Sequence, residues 1–253
     1  MEKVKSDKKK IILKIGTSTL TKGTSFISRG KLEDIARQIA QLRNEYDFII
    51  VSSGAIAVAK QFVDLEGNGR EITVKQALAA IGQPHLMRII QESFRELHLL
   101  TAQCLLSYMD FDRIETRNNI VNTLDTLIEN GYIPIINEND TVSTEEIKFG
   151  DNDKLAALTA ELMQIDLLLL ATNTYGFYID GKTVMEVNDL DSLLPYISPN
   201  KSNQGTGGMT SKIEAASIAQ KAGIETWLIN GWEEQFISKT INGTLPFTKI
   251  IAK

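Results

Sequence analysis

The chain has little of several things that would otherwise define it. It has one cysteine, Cys104, so no internal disulfide can form. Its two histidines, His85 and His98, leave too few ligands for a zinc site of the Cys and His type. It has no long apolar run. Phe48-Ile49-Ile50-Val51 and Leu167-Leu168-Leu169-Leu170-Ala171 are far shorter than the ~20 residues of a membrane span. No apolar stretch follows the basic start, so no secretory signal is expected. It has no surplus of positive charge: 27 basic against 32 acidic side chains give a net charge of −5, which argues against general nucleic-acid binding. It has no internal repeat, proline-rich linker or low-complexity tract. What remains is 253 residues of globular composition, 43% hydrophobic, enough for a real core in one or two domains. The expectation is a soluble, cytoplasmic enzyme without a membrane or nucleic-acid partner.

Strand and helix patterns alternate from end to end. Lys10–Ile15 reads as a first buried strand, preceded by a charged, frayed tail of about ten residues. Leu32, Ile35, Ala36, Ile39 and Leu42 mark one face of a helix. Asp47–Val51 is a strand and Gly54–Phe62 an alanine-rich helix. Thr73 with Gln76 reads as a capping box, opening a helix that Gly82 and Pro84 are expected to break or kink. Leu99–Ser107 holds a further strand. Ile120, Leu124, Leu127 and Ile128 form a helical face that Gly131 can end. Tyr132–Ile136, Asp166–Ala171, Glu225–Ile229 and Thr248–Ile251 are strands, and Ile213, Ala216 and Ala219 lie on one side of another helix. Repeated strand–helix–strand units predict an α/β fold, a mostly parallel open sheet with helices on both faces. Such sheets bind ligands beyond the C-terminal ends of their strands.

Small polar turns follow the strands at those ends. The first strand runs into Gly16-Thr17-Ser18-Thr19, whose backbone N–H groups suit phosphate oxygens. Lys14 sits inside that strand between Leu13 and Ile15. A buried ammonium needs an anion, although a lysine snorkelling from an edge strand is the simpler alternative. The second strand runs into Ser52-Ser53-Gly54-Ala55, fit for a carboxylate or phosphate, or for an ordinary serine cap. Tyr132–Ile136 runs into Asn137-Glu138-Asn139-Asp140, and Gly150-Asp151-Asn152-Asp153-Lys154 follows. Six acids lie in this stretch: Glu138, Asp140, Glu145, Glu146, Asp151 and Asp153. Asp151 or Asn152 is expected to cap the next helix. Capping does not explain Asn137 and Asp140, which directly follow a strand. Finally, Gly205-Thr206-Gly207-Gly208-Met209-Thr210-Ser211-Lys212 precedes a helix. Its glycines let backbone approach a ligand closely, while the helix start and Lys212 face the same point.

Gly176-Phe177-Tyr178-Ile179-Asp180-Gly181-Lys182-Thr183 matches the P-loop pattern letter for letter. A P-loop must open a helix, and the residues after Thr183 have strand character. Asp180-Gly181 is instead a two-residue hairpin turn. His85 and His98 fall in helical stretches and carry no assigned chemistry, and Cys104 reads as core.

Two lysines, glycine-rich anion turns and acids, without a Ser-His-Asp arrangement, suit phosphoryl transfer. That reaction needs positioning and charge neutralisation more than covalent catalysis. Lys14 and Lys212 can flank the transferred group, Asp153 can orient them, and Mg²⁺ would bridge nucleotide phosphates.

The five motifs, Lys14-Ile15-Gly16-Thr17-Ser18, Ser52-Ser53-Gly54-Ala55-Ile56, Asn137-Glu138-Asn139-Asp140, Phe149-Gly150-Asp151-Asn152-Asp153 and Gly205–Lys212, span nearly the whole chain. In that order the sequence resembles the amino acid kinase family, and within it the branch that phosphorylates glutamate. The resemblance implies a three-layer αβα sandwich, with ATP and Mg²⁺ used on the γ-carboxylate of L-glutamate in the first step of proline synthesis. It implies that Lys14 and Lys212 touch ATP phosphates, with Asp153 holding both. Ser53, Gly54, Ala55, Asp140 and Asn152 would bind glutamate. Gly16, Thr17, Thr172, Asn173, Thr206, Gly207, Gly208, Met209, Thr210 and Ser211 would line the nucleotide. It further implies feedback inhibition by L-proline and a homodimer or homotetramer. The expected organisation is one domain with two lobes: about 8–165 for glutamate and subunit contacts, about 166–253 for ATP. The chain differs from the family's pattern in carrying Asn173 where an aspartate is usual. Asp180-Gly181-Lys182 stands where an acidic-proline-arginine stretch is usual, and no C-terminal PUA domain is expected. Within the same class, a uridylate-type kinase would need more positive charge for its acceptor phosphate. Outside it, the alternative is a non-catalytic nucleotide- or proline-binding regulator, which would not need Lys14, Asp153 and Lys212 together.

Overall fold

Along Lys9–Ile15, side chains alternate between the two faces of a buried strand, β1. Ile11, Leu13 and Ile15 enter one hydrophobic cluster and Ile12 enters the other. Lys14 shares its face with Ile12, so the helices on that side decide what its ammonium meets. The computed structural model describes residues 8–66, 71–142, 152–196 and 208–253.

After β1 come α1 (Thr17–Thr21), α2 (Arg29–Leu42), β2 (Tyr46–Ser52), α3 (Ala55–Ala59), α4 (Ile72–Arg95) and β3 (Leu100–Leu106). A 3₁₀ turn (Tyr108–Phe111), α5 (Ile114–Glu129), β4 (Tyr132–Glu138), α6 (Asp153–Met163) and β5 (Leu167–Thr172) follow. The remainder is a hairpin of β6 (Tyr178–Ile179) and β7 (Lys182–Thr183), then β8 (Glu186–Val187), a 3₁₀ segment (Leu190–Tyr196), α7 (Met209–Lys221), β9 (Glu225–Asn230), α8 (Phe236–Ile241) and β10 (Thr248–Ile250). Eight strands form one sheet in the order β3-β4-β2-β1-β5-β9-β10-β8, parallel throughout except that β10 runs against β9. On one face α2, α3, α4 and α8 cover Ile11, Leu13, Phe48, Ile50, Leu169 and Ile229. On the other α5, α6 and α7 cover Ile12, Ile49, Val51, Leu168, Leu170 and Leu228. This is the expected three-layer αβα sandwich. β1 pairs with both β2 and β5, so the sheet runs unbroken through the two lobes the sequence outlines.

The Asp180-Gly181 hairpin is present, with positive φ of 50° and 76°, and β6 pairs antiparallel with β7. Five other expectations change. First, α4 begins at Ile72 after Glu71 with no side-chain cap, so Thr73 lies inside the helix and forms no capping box. Second, the same helix runs unbroken from Ile72 to Arg95 through Pro84. Its backbone is pressed against α3: a Cβ at Gly82 would lie 1.8 Å from the Ala55 carbonyl oxygen. That contact holds the helix where proline costs it a hydrogen bond. Third, α3 is only Ala55–Ala59. Fourth, His98 sits in a left-handed turn after α4, φ 55°, while His85 does lie in the helix and packs on the Phe62 ring, centroids 4.5 Å apart. Fifth, the expected tail of about ten residues overlaps β1, to which Lys9 and Lys10 belong, and residues 1–7 lie outside the described residues. The Lys10 N–H donates to Asp166 (2.7 Å) and its ammonium pairs with Asp125 (2.9 Å). Among the described residues no helix is long and apolar enough to cross a membrane.

Candidate active site

Lys14 and Lys212 meet on one carboxylate. The face that β1 turns toward α6 and α7 carries Lys14; α6 opens with Asp153; α7 places Lys212 in its first turn. Lys14 Nζ lies 2.5 Å from Asp153 Oδ1, and Lys212 Nζ lies 2.7 Å from Asp153 Oδ2. Ser211 Oγ lies 3.3 Å from the same Oδ2. Asp153 is fully buried, and Lys14 and Lys212 are 3% and 8% exposed. Three charges taken out of water hold together only by pairing. Two cations against one anion leave a net positive charge at the ends of β1 and β5, where a polyanion can be received.

Gly16 ends β1 and is the N-cap of α1. A Cβ there would lie 3.7 Å from Lys14 Nζ, in the space over the ammonium. The backbone N–H groups of Thr17 and Ser18 precede the first intrahelical bonds of α1, which Thr19 and Leu20 donate to the Gly16 carbonyl. On the neighbouring strand end, the Ser53 N–H donates to the Ile15 carbonyl (3.1 Å), joining the two turns. Gly54 follows at φ 115°, a left-handed conformation that favours glycine, and Ala55 starts α3.

Asn152 is the N-cap of α6 by position, yet its side chain makes no capping bond. Its amide instead donates to the Ser52 carbonyl (2.6 Å) and to Asn137 Oδ1 (2.7 Å). Asn137 passes the network on, donating to Gln83 Oε1 on α4 at 2.6 Å. So the second turn, the end of β4 and the start of α6 are locked together around buried amides. β4 continues through Asn137 and Glu138, both buried, two residues beyond the expected strand end. Asp140 lies half-buried in the turn just after it.

On the other side, Thr172 ends β5 buried and its hydroxyl donates to Asn173 Oδ1 at 3.4 Å, while Asn173 itself is exposed. Gly208 is the N-cap of α7; Met209 packs against the core, Thr210 is exposed, and the Ser211 hydroxyl donates to the Gly208 carbonyl (2.8 Å). Thr206 and Gly207 lie outside the described residues, as does Asp151. Thus Lys14, Gly16, Thr17, Ser53, Gly54, Ala55, Asp140, Asn152, Asp153, Thr172, Asn173 and Gly208 to Lys212 lie at the C-terminal ends of the strands or in the turns and helix starts beside them. Gln83 and the Ser52 carbonyl were not singled out in the sequence. Gln83 has no local signal, because it lies mid-helix and about fifty residues from its partner. Among the described residues no three His, Cys, Asp or Glu side chains cluster to hold a metal. Burial pushes the Cys104 thiol up, in keeping with a packing role.

Comparison with known proteins agrees with this geometry. The family model described as "Amino acid kinase family" matches residues 9–230. The chain is 41% identical to the glutamate 5-kinase of Alkaliphilus metalliredigens (strain QYMF), covering 96% of each. It is 37% identical to the glutamate 5-kinase of Clostridium perfringens (strain 13 / Type A), covering 100% of this chain and 99% of the relative. Among solved structures, UMP kinase from Ureaplasma parvum superposes with a TM-score of 0.65 at 16% identity, over 96% of this chain and 99% of that one, a likeness of fold. With a matched region that holds every strand from β1 through β9, and with both lysines and their aspartate inside it, the chain belongs to the amino acid kinase family.

Proposed function

We propose that the chain transfers the γ-phosphoryl group of MgATP to the γ-carboxylate of L-glutamate, giving L-glutamyl 5-phosphate and ADP, the first step of proline synthesis. The observation that carries this is the Lys14–Asp153–Lys212 bridge at the strand ends, in a chain matched from end to end by glutamate 5-kinases. A γ-carboxylate ordinarily titrates at about pH 4.3 and is already ionised at neutral pH, so no general base is needed. One carboxylate oxygen forms a bond to the γ-phosphorus while the bond from that phosphorus to the bridging oxygen breaks, and ADP leaves with the electron pair. Both reactants are anions. Lys14 and Lys212 offset their repulsion and stabilise the charge that spreads over the transferring group. Asp153 keeps both ammonium groups pointed at that group and prevents their mutual repulsion from splaying them.

Mg²⁺ enters with the nucleotide as part of the substrate, where it neutralises phosphate charge. Glutamate takes the other side: the Ser53 hydroxyl and the backbone N–H groups of Gly54 and Ala55 offer donors to its α-carboxylate, Asp140 faces its α-ammonium, and Asn152 fixes the turn. Thr172, Asn173 and the segment 206–212 take the nucleotide. In this reading the protein works in the cytoplasm as a homodimer or homotetramer, and L-proline inhibits it.

The test is ADP release from MgATP with glutamate, aspartate, N-acetylglutamate and uridylate as separate acceptors, with hydroxylamine to trap acyl phosphate. Hydroxamate formed with glutamate alone and suppressed by L-proline is the expected result. Turnover with another acceptor would reassign Asp140 and Asn152. No turnover in protein that binds MgADP would make the chain a nucleotide-binding regulator.

A further inference from the structure

The turn between β9 and α8, residues 231–235, is fixed on every side. A Cβ at Gly231 would come within 2.7 Å of Thr19 Cγ2 and 3.0 Å of Ala171 Cβ, so the turn lies directly against α1 and the end of β5. The Gly231 N–H donates to the Thr172 carbonyl at 2.8 Å. Behind the turn, α2 supplies an anchor. The buried Lys31 ammonium donates to the Glu233 carbonyl at 2.5 Å and lies 4.4 Å over the Phe236 ring. An ammonium is costly to bury, and a surface turn with no fixed place would have no use for one.

From this anchored turn two side chains reach forward. The Trp232 indole Nε1 donates to the Ser18 carbonyl at 3.1 Å, and its backbone N–H is held by Asn230 Oδ1 at 3.0 Å. Glu233 Oε1 accepts from the Tyr175 hydroxyl at 2.6 Å. Ser18 belongs to the first turn of α1, just after β1, and Tyr175 to the turn after β5. These are separate strand ends, and under the proposed function both border the nucleotide.

We infer that residues 231–235 are a positioning element for nucleotide binding, in which Trp232 through Ser18 and Glu233 through Tyr175 set the spacing of the two turns before the nucleotide arrives. Spacing set in advance removes an ordering cost from binding. It acts on the nucleotide side of the site, because neither arm touches the amide network of Asn137 and Asn152 on the glutamate side. This inference rests on the proposed nucleotide site.

The test uses the full chain, with MgADP as the probe in calorimetric titrations and steady-state kinetics for both substrates. Trp232→Phe keeps an aromatic ring and loses the N–H, and Tyr175→Phe loses the hydroxyl. Each is expected to weaken MgADP binding about 3–10-fold, the worth of one hydrogen bond, and to raise the KM for ATP alike. The KM for glutamate stays within about twofold. Glu233→Ala should match Tyr175→Phe, and combining the two should add no further loss. Glu233→Gln, whose amide oxygen still accepts from Tyr175, should restore wild-type affinity. Variants that bind MgADP as the wild type does, or that lower melting temperature and weaken both substrates equally, would overturn the positioning role. A wild-type chain that binds no MgADP would instead remove the nucleotide reading, and this inference with it.

Discussion

Asp153 and its two lysines illustrate how different the roles of three salt-bridged residues can be. Removing one lysine leaves the carboxylate paired with the other. Lys14→Ala and Lys212→Ala are therefore expected to fold, and each to lower kcat by about 10²–10³, as for loss of one preorganised donor. Turnover under saturating glutamate and MgATP checks this, and an unchanged kcat in Lys212→Ala would contradict the assignment. Asp153→Asn is different, because it leaves two buried ammonium groups without a counter-charge. It should cost about 3–5 kcal/mol of stability, read by urea denaturation without ligand. Lys31 is a third buried lysine. Burial pulls its pKa down to about 8, against the opposing pull of the Asp34 carboxylate. Between pH ~8 and ~10.5 the unfolded chain keeps a proton on this lysine that the folded chain has given up, so stability rises with pH across that window. Relative to Lys31→Met, which lacks the titration, the wild type should gain stability from pH ~8 to ~10. Parallel urea melts at the two pH values, with a flat difference as the contrary outcome, decide it.

Elements carry the site through their packing as much as through their side chains. α3 and α4 cross where Gly82 lets backbone touch backbone, and the touched residue, Ala55, opens the helix behind the Ser53-Gly54 turn, which under the proposed function binds glutamate. Gly82→Ala would force a methyl group into a carbonyl 1.8 Å away, so the helices must part. The expected result is a loss of about 1–3 kcal/mol together with a raised KM for glutamate and little change in KM for ATP. A loss of stability with an unaltered glutamate KM would show that the turn does not depend on this crossing. The hairpin Tyr178–Thr183 shows the opposite relation between sequence and structure: the Asp-Gly signal is local, and it prevailed over a complete P-loop match. Pro84 read as a break, and Thr73 read as a cap, were misleading for a physical reason. Their propensities are local, whereas α4 is held by contact with a segment some twenty-five residues earlier.

At the scale of the molecule, one eight-stranded sheet joins the strands before and after α6, so thermal unfolding is expected as a single transition. MgADP at about 100 times its Kd should add about 2.7 kcal/mol to the whole, not to one half. Scanning calorimetry with two resolved peaks, only one of them moved by MgADP, would divide the chain into independent lobes. The strand pattern and the site's position at the strand ends were legible because burial writes itself as apolar runs and phosphate contact as small-residue turns. Lys14 was legible as an ammonium in need of an anion. The acid expected to orient it, Asp153, is the one with which it pairs. The order of residues could not reveal α8 or the latch at Trp232 and Glu233, since those contacts join segments some 60 to 200 residues apart.

The position of β1 also bears on how the protein is made. It precedes the other described strands in the chain and lies in the middle of the sheet, and its far partner β5 is synthesised much later: Asp166, which accepts from the Lys10 N–H just before β5, lies 156 residues on. At about 5–20 residues per second, the strand waits roughly 8–30 s for that neighbour. During synthesis KIILKI is an apolar segment with one edge unfilled, guarded by the lysines that flank and punctuate it. Lys14, which under the proposed function faces the transferring phosphoryl group, would thus serve first as a solubilising charge on a nascent chain.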